Sequence, residues 1–169
     1  AMFARTETLA AHLAELARTD PLGGLGPHLV VGPLYHTGPL GAYRLLAIGT
    51  PVVILRRFDA EKTLEAISLY GIASAVFVPT HFVRLLALPE AARARYDVSS
   101  LTFVGHTGAP CRHEVKRAMI GWWGPVLFES YGATEIGGVA RISSEEWLRY
   151  PGSVGRARER FAFLIVDEA

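Results

Sequence analysis

The stretch Leu101-Thr102-Phe103-Val104-Gly105 is followed by a helical pattern from about Cys111 to Trp122, and then by Val126-Leu127-Phe128. Two short apolar runs on either side of an amphipathic helix predict a strand, a crossover helix and a second, parallel strand. The inward face of that helix is predicted to contain Val115, Ala118, Met119 and Trp122. Parallel sheets are buried on both faces, so we expect helices on both sides of this one.

The same alternation continues on both sides of this unit. Four more apolar runs predict strands, at residues 28–32, 52–55, 73–78 and 163–166. Asp59 is placed to cap a helix that Gly71 ends, and a further helix begins near Thr80. We therefore predict a single α/β unit over residues 1–169, with three α/β/α layers around a mainly parallel sheet.

The composition is that of a globular protein, with 50% hydrophobic and 20% charged residues. A formal net charge of +1 gives no electrostatic reason to expect a nucleic-acid partner. The uncharged stretch 21–43 contains six glycines and four prolines, which break helices, so we do not expect a membrane span. The single cysteine, Cys111, excludes an internal disulfide, and we expect a buried or half-buried structural thiol. With no signal segment visible, we expect a cytoplasmic protein.

Glycine-containing polar loops follow three of the predicted strands, at residues 33–38, 106–110 and 130–135. In a parallel sheet the carboxyl ends of the strands share one edge, where ligands bind, so these loops predict one site. In the last loop, Gly132 permits a tight turn and Tyr131 presents a flat ring on which a base can stack. Thr134 offers a hydroxyl to a phosphate, and Glu135 offers a carboxylate oxygen suited to Mg²⁺.

Four segments of this chain resemble motifs of the adenylate-forming (AMP-binding) superfamily, which includes acyl-CoA synthetases, luciferases and nonribosomal peptide adenylation domains. Residues 131–135 resemble its Tyr-Gly-x-Thr-Glu signature, and Gly108-Ala109-Pro110 resembles its adenine-side loop. Pro33-Leu34-Tyr35-His36-Thr37-Gly38 resembles its Pro-Leu-Phe-His-x-x-Gly segment beside the acyl pocket. Pro151-Gly152-Ser153-Val154-Gly155-Arg156 resembles a stretch common in its acyl-CoA synthetases, so the chain is most similar to one subdomain of the large domain of such an enzyme.

The resemblance implies a two-step reaction of a small carboxylic acid, with ATP, Mg²⁺ and coenzyme A, and a place in fatty acid metabolism. The acid attacks the α-phosphate of ATP to give an acyl-adenylate and pyrophosphate, and the thiol of coenzyme A then displaces AMP. By resemblance, Tyr131, Gly132 and the loop 108–110 bind the nucleotide, and Thr134 contacts phosphate. Glu135 holds Mg²⁺, His36 lies at the acyl pocket, and residues 80–82 help to line that pocket.

The family's phosphate loop and its mobile C-terminal domain, which carries a catalytic lysine, are not found in this sequence. We therefore expect the isolated chain to be inactive. The alternatives are a non-catalytic binding or oligomerisation module from the same superfamily, or a different α/β enzyme or flavodoxin-like binding protein. A mean hydropathy of +0.26 is high for a small domain, and we expect a homo-oligomer that covers apolar faces. The sequence does not identify the acid.

Overall fold

The computed structural model describes residues 8–164 of the chain. Seven strands form one sheet: β1 (His28–Val30), β2 (Val52–Ile54), β3 (Ser74–Phe77), β4 (Phe103–His106), β5 (Leu127–Ala133), β6 (Gly137–Ser143) and β7 (Arg156–Ala157). The helices in this range are α1 (Leu9–Thr19), α2 (Thr37–Leu40), α3 (Ala42–Ala47), α4 (Ala60–Tyr70), α5 (Pro79–Leu86), α6 (Glu90–Arg93), α7 (His113–Trp123) and α8 (Ser144–Arg149).

The strand order is β2-β1-β3-β4-β5-β6-β7, and every pair from β2 to β5 is parallel. The connection from β1 to β2 runs across the sheet in the opposite direction to the later connections. Right-handed crossovers therefore place α2 and α3 on the face opposite α4, α5 and α7. The predicted three-layer α/β/α architecture is confirmed.

The main core lies between the sheet and the helices α4, α5 and α7. Ile67, Phe82 and Met119 project from these three helices and are fully buried against Phe77 and Leu127 of the sheet. The helix limits follow from local chemistry: the Asp59 carboxylate accepts a hydrogen bond from the backbone N–H of Lys62, and Gly71 ends α4 in the left-handed conformation with φ +57°.

The structure differs from the predicted secondary structure in three places. Strands β6 and β7 extend it in the antiparallel sense, and neither they nor α8 was predicted. The predicted strand at 163–166 is wrong for residues 163 and 164, which lie outside any strand, and residues 165 and 166 lie outside the described range. Helices α2 and α3 form in a glycine- and proline-rich stretch, because that stretch folds back onto the sheet, where α3 contacts β1 and β2 and α2 contacts β3.

Helix α7 faces the core with a different set of residues from the predicted one. Ala118, predicted to be inward, is exposed, whereas Lys116 is fully buried. The buried positions of α7 are Lys116, Met119, Ile120 and Trp123. The apolar spacing therefore identified the helix, but the burial of one lysine rotates its inward face.

No helix within residues 8–164 combines the length and the apolar character needed to cross a membrane.

Candidate functional site

The carboxyl ends of β1, β3, β4 and β5 meet at one edge of the sheet. The chain leaves β1 towards β2 and leaves β3 towards β4, which is the opposite direction, so a crevice opens between the ends of β1 and β3. This topological switch point is where open α/β sheets bind ligands. Two adjoining cavities lie along this edge, and we name them the Tyr131 cavity and the His36 cavity.

The Tyr131 cavity has a volume of about 380 Å³ and lies beyond β4 and β5. It brings together Tyr131 and Gly132 with the loop Gly108-Ala109-Pro110, all predicted from the sequence to form one site. The side chain of Tyr131 is half exposed, and its flat ring is available to a ligand. Gly108 has a φ of +88°, a backbone conformation that glycine adopts without the strain that a side chain would bring.

The segment 151–156 also reaches the Tyr131 cavity, through Gly152 and Val154. Gly155 has a φ of +91°, and a Cβ atom placed on it would lie 2.0 Å from the carbonyl oxygen of Arg141 on β6. The close contact of this loop with β6 therefore requires glycine at position 155. The segment therefore lies at the same cavity as Tyr131 and the loop 108–110.

The His36 cavity has a volume of about 650 Å³ and lies at the switch point. His36 and Thr134, two of the predicted site residues, both line it. Its wall is also formed by several glycines and prolines, whose small or compact side chains leave the space open: Gly32, Pro33, Gly38, Pro39, Gly137 and Gly138. Such a wall leaves room for a bulky group of a ligand.

Thr107, Gly108, Ser130 and Gly132 line both cavities. The cavities are therefore two lobes of one site, separated by short side chains and backbone from the ends of β4 and β5. This arrangement brings all the predicted loops together.

Glu135, predicted to hold Mg²⁺, lines neither cavity. It lies on the exposed turn between β5 and β6, next to Thr134. Among residues 8–164, no group of three or more histidine, cysteine, aspartate or glutamate residues could hold a metal ion. A lone carboxylate at this place fits the way Mg²⁺ is often bound, by one or two carboxylates together with substrate phosphates.

The helix α5 contributes one of its three predicted lining residues. His81 lines the His36 cavity, with its ring stacked on Phe58 at a centroid distance of 4.0 Å. Burial, with the charge of Arg84 adding to it, lowers the pKa of His81 to about 4, so its ring is neutral at neutral pH. Phe82 is instead fully buried in the core, and Thr80 is exposed away from both cavities.

Cys111 lines the Tyr131 cavity and is half-buried, as expected for a structural thiol. Burial raises the pKa of its thiol to about 11, the opposite of what a nucleophile requires.

Sequence reasoning missed a buried charged cluster beneath the Tyr131 cavity. Lys116 of α7 donates a hydrogen bond of 2.5 Å to the carboxylate of Glu129 on β5, and Glu129 lines the cavity. The Nε2 atom of His106 lies 3.8 Å from the same carboxylate. Burial lowers the pKa of His106 to about 3, with Lys116 contributing in the same direction, so that histidine is neutral. The only sequence signal was a lysine inside the apolar pattern of a helix.

Comparison with known proteins gives a consistent result. A family model described as AMP-binding enzyme matches residues 6–169. The 4-coumarate–CoA ligase-like protein 8 of Arabidopsis thaliana is 36% identical over 139 residues, covering 80% of this chain and 25% of the relative. The 4-coumarate–CoA ligase-like protein 5 of Oryza sativa subsp. japonica is 34% identical over 165 residues, covering 95% of this chain and 30% of the relative.

Among solved structures, the amide bond synthetase McbA from Marinactinospora thermotolerans superposes with a TM-score of 0.74 at 30% identity, covering 85% of this chain and 30% of that one. The o-succinylbenzoate CoA synthetase of Bacillus subtilis, in complex with ATP and magnesium ion, shares the fold at a TM-score of 0.68 and 23% identity, covering 86% of this chain and 30% of that one. The chain spans about a quarter to a third of the length of these proteins. From the family match over nearly its whole length and the shared fold, this chain belongs to the AMP-binding enzyme family.

Proposed function

We propose that this chain forms part of the substrate site of an ATP-dependent acyl-CoA synthetase. Such an enzyme joins a carboxylic acid to AMP with release of pyrophosphate, and then transfers the acyl group to the thiol of coenzyme A. The observation that carries the proposal is the pair of cavities with a shared wall at the switch point of the sheet. Two substrates that react with each other need two adjoining lobes with nothing large between them.

The Tyr131 cavity suits the adenine of ATP. The half-exposed ring of Tyr131 offers one stacking face, and Gly108, Ala109 and Pro110 form a second wall of the same cavity. The cavity is open to the shared wall at Gly108 and Gly132, where the absence of side chains allows the rest of the nucleotide to pass close to the backbone.

The His36 cavity suits the acyl group of the acid. Its volume is larger than that of the Tyr131 cavity, and the two lobes meet at the shared wall, where the acid carboxylate and the α-phosphate would react. Thr134 lines the His36 cavity, and in this proposal its hydroxyl contacts phosphate. Mg²⁺ bound at Glu135 would neutralise phosphate charge during the transfer.

The names of the relatives support coenzyme A and a carboxylic acid as the further substrates. The curated relatives described above are CoA-ligase-like proteins, one 36% and one 34% identical to this chain. The two cavities leave the identity of the acid open, and fatty acids remain one class within the proposal. The half-buried thiol of Cys111 suits a reducing compartment such as the cytoplasm.

We propose that the isolated chain does not catalyse the reaction. Of the described residues that line the two cavities, Arg158 alone carries a permanent positive charge. Phosphoryl chemistry depends on several preorganised charges and donors, and the loss of one such donor typically lowers the rate by about 10²–10³. Purified chain should form no acyl-adenylate above the level of a Glu135→Ala variant in a mass-spectrometric assay, and formation above that level would contradict the proposal.

The second candidate is a binding or oligomerisation module without catalysis. Large apolar side chains are exposed on and beside α2 and α3, namely Tyr35, Leu40, Tyr43 and Leu46. A second copy of the chain could cover this surface. Light scattering at micromolar concentration should then give a mass above 18.4 kDa, and a monomer would contradict homo-oligomer formation.

The test of the proposed function is calorimetric binding of a non-hydrolysable acyl-adenylate mimic. We expect micromolar affinity for the unaltered chain and a loss of about 5- to 150-fold in Tyr131→Ala, since base stacking on an aromatic ring contributes about 1–3 kcal/mol. Tyr70→Ala is the matched control, because Tyr70 is 54% exposed, Tyr131 is 56% exposed, and Tyr70 lines neither cavity. Equal affinities for the two variants would contradict the assignment of the base to Tyr131.

A further inference from the structure

The ring of His81 is held in one orientation at the wall of the His36 cavity. One of its flat faces stacks on Phe58, at a centroid distance of 4.0 Å and with 8° between the ring planes. The guanidinium carbon of Arg84 lies 5.0 Å from the centroid of the Phe58 ring, so Phe58 is itself held by a cation–π contact. Phe58 lines neither cavity, whereas Phe77, which meets the imidazole edge-on, lines the His36 cavity. Phe58 therefore backs the imidazole from the side away from the cavity.

Hydrogen bonding decides which nitrogen of this ring carries the proton. The backbone N–H of Val78, which immediately precedes α5, donates to Nδ1 of His81 at 3.4 Å. Burial keeps the ring neutral, and in a neutral imidazole the nitrogen that accepts a hydrogen bond carries no proton. The single ring proton is therefore on Nε2, which is a hydrogen-bond donor and not an acceptor.

The Nε2–H group of His81 has no partner in the part of the chain that the structure describes. Within residues 8–164 no hydrogen bond from this nitrogen is found. The ring nitrogens of His106 also lack partners, but they are closed off from solvent, whereas Nε2 of His81 is not. Because His81 lines the His36 cavity, its free donor is open to a molecule bound there.

We propose that His81 is a specificity-determining residue, whose Nε2–H selects an acid with an uncharged oxygen acceptor, such as a keto group, along its acyl chain. The inference rests on the proposed function, which places the acyl group in the His36 cavity. A chain of carbon and hydrogen alone would displace water from the donor and leave it unpaired, whereas a keto oxygen would replace that water. The acceptor is uncharged, because a neutral ring supplies no charge to compensate an anion.

The experiment compares acyl-adenylate mimics that differ in one group of the acyl chain. One mimic carries a plain octanoyl chain, and three others carry a keto group at the fourth, fifth or sixth carbon of that chain. Calorimetry measures their binding to the unaltered chain, to His81→Phe and to His81→Gln. The phenylalanine keeps a ring on Phe58 but has no donor, whereas the glutamine loses the ring but its amide nitrogen reaches about as far as Nε2.

The two variants separate hydrogen bonding from packing. Neither can accept the Val78 N–H in the way that Nδ1 does, so thermal unfolding should show a similar decrease in Tm for both. We expect the unaltered chain to bind at least one keto mimic about five- to fiftyfold more tightly than the octanoyl mimic. His81→Gln should keep a preference of about fivefold or more, and His81→Phe should bind the same pair within about twofold.

Three results would overturn the inference alone. The first is equal binding of all four mimics by the unaltered chain while Tyr131→Ala weakens each of them. The second is a keto preference that persists in His81→Phe, which would assign the preference to another group. The third is its loss in both variants, which would make the role of His81 structural. Failure of the unaltered chain to bind any mimic would overturn the proposed function and this inference together.

Discussion

Replacement of Gly132 by alanine tests how closely β5 and β6 approach at the site. The register between these strands shifts between Tyr131 and Gly132, and Gly132 pairs with Gly138. A Cβ atom on Gly132 would lie 2.0 Å from the carbonyl oxygen of Gly137 and 2.8 Å from the Cα atom of Gly138. Both are backbone atoms, so the contact cannot be relieved by rotating a side chain.

The expected magnitude follows from this geometry. An ordinary contact at about 3.4 Å requires the two strands to move apart by more than 1 Å. Overpacking of this kind costs about 1–3 kcal/mol, and each ladder hydrogen bond lost adds about 0.5–1.5 kcal/mol. We expect Gly132→Ala to lower the free energy of unfolding by about 2–4 kcal/mol, which corresponds to about 5–15 °C in Tm for a chain of this size.

Urea unfolding followed by tryptophan fluorescence measures this change. Gly121→Ala is the matched control, because Gly121 is exposed within α7 and an added Cβ would meet no described atom within 4 Å apart from the neighbouring backbone of α7 itself. That control should be stabilised by about 0.5–1 kcal/mol through the better helix propensity of alanine. A Gly132→Ala protein within about 0.5 kcal/mol of the unaltered chain would refute the close strand approach described here.

Three further predictions concern buried polar groups. Burial lowers the pKa of His28 to about 4 and that of His106 to about 3. Below the ordinary histidine pKa of 6.5 the unfolded chain binds more protons than the folded chain, so the free energy of unfolding should fall as the pH decreases from about 6.5 towards about 4. A urea midpoint that is unchanged between pH 7 and pH 5 would contradict this prediction. The pKa of the Cys111 thiol is raised to about 11, so at pH 8 it should react with Ellman's reagent at least about tenfold more slowly in the folded chain than in the unfolded chain. Equal rates in the two states would show a reactive thiol. Ser144→Ala should destabilise the fold by about 1–3 kcal/mol, because the buried Ser144 hydroxyl donates a hydrogen bond to the carbonyl of Leu127 and accepts one from the Leu127 N–H. A stability loss within error of zero would mean that water replaces both hydrogen bonds.

The parallel part of the sheet was predictable because its strands are short, continuous apolar runs separated by helical patterns. The antiparallel extension by β6 and β7 was not predictable in this way. Strand β6 begins with Gly137 and Gly138, residues that normally indicate a loop, and here they allow the close approach of β5. At residues 163 and 164 the prediction of a strand was wrong, because the apolar side chains there stay exposed and do not join the sheet.

The loops of the site were predictable from sheet topology together with glycine-rich motifs, and all three reach the two cavities. The roles of His36, Thr134 and Glu135 in chemistry remain predictions. The cluster of Lys116, Glu129 and His106 was not predictable, because a lysine on an amphipathic helix is normally counted towards the solvent face. Only the tertiary position of Glu129 explains why Lys116 points inward.

The shared wall of the two cavities has a consequence for how enzymes of this kind can diverge. A substitution at Gly108 or Gly132 places a new side chain in the wall of both lobes at once and, under the proposed function, would alter the binding of two substrates together. Gly32, Pro39 and His81 face only the larger lobe. Under the proposed function, substitutions at those three positions would change the acid lobe one at a time and leave the nucleotide lobe unaltered.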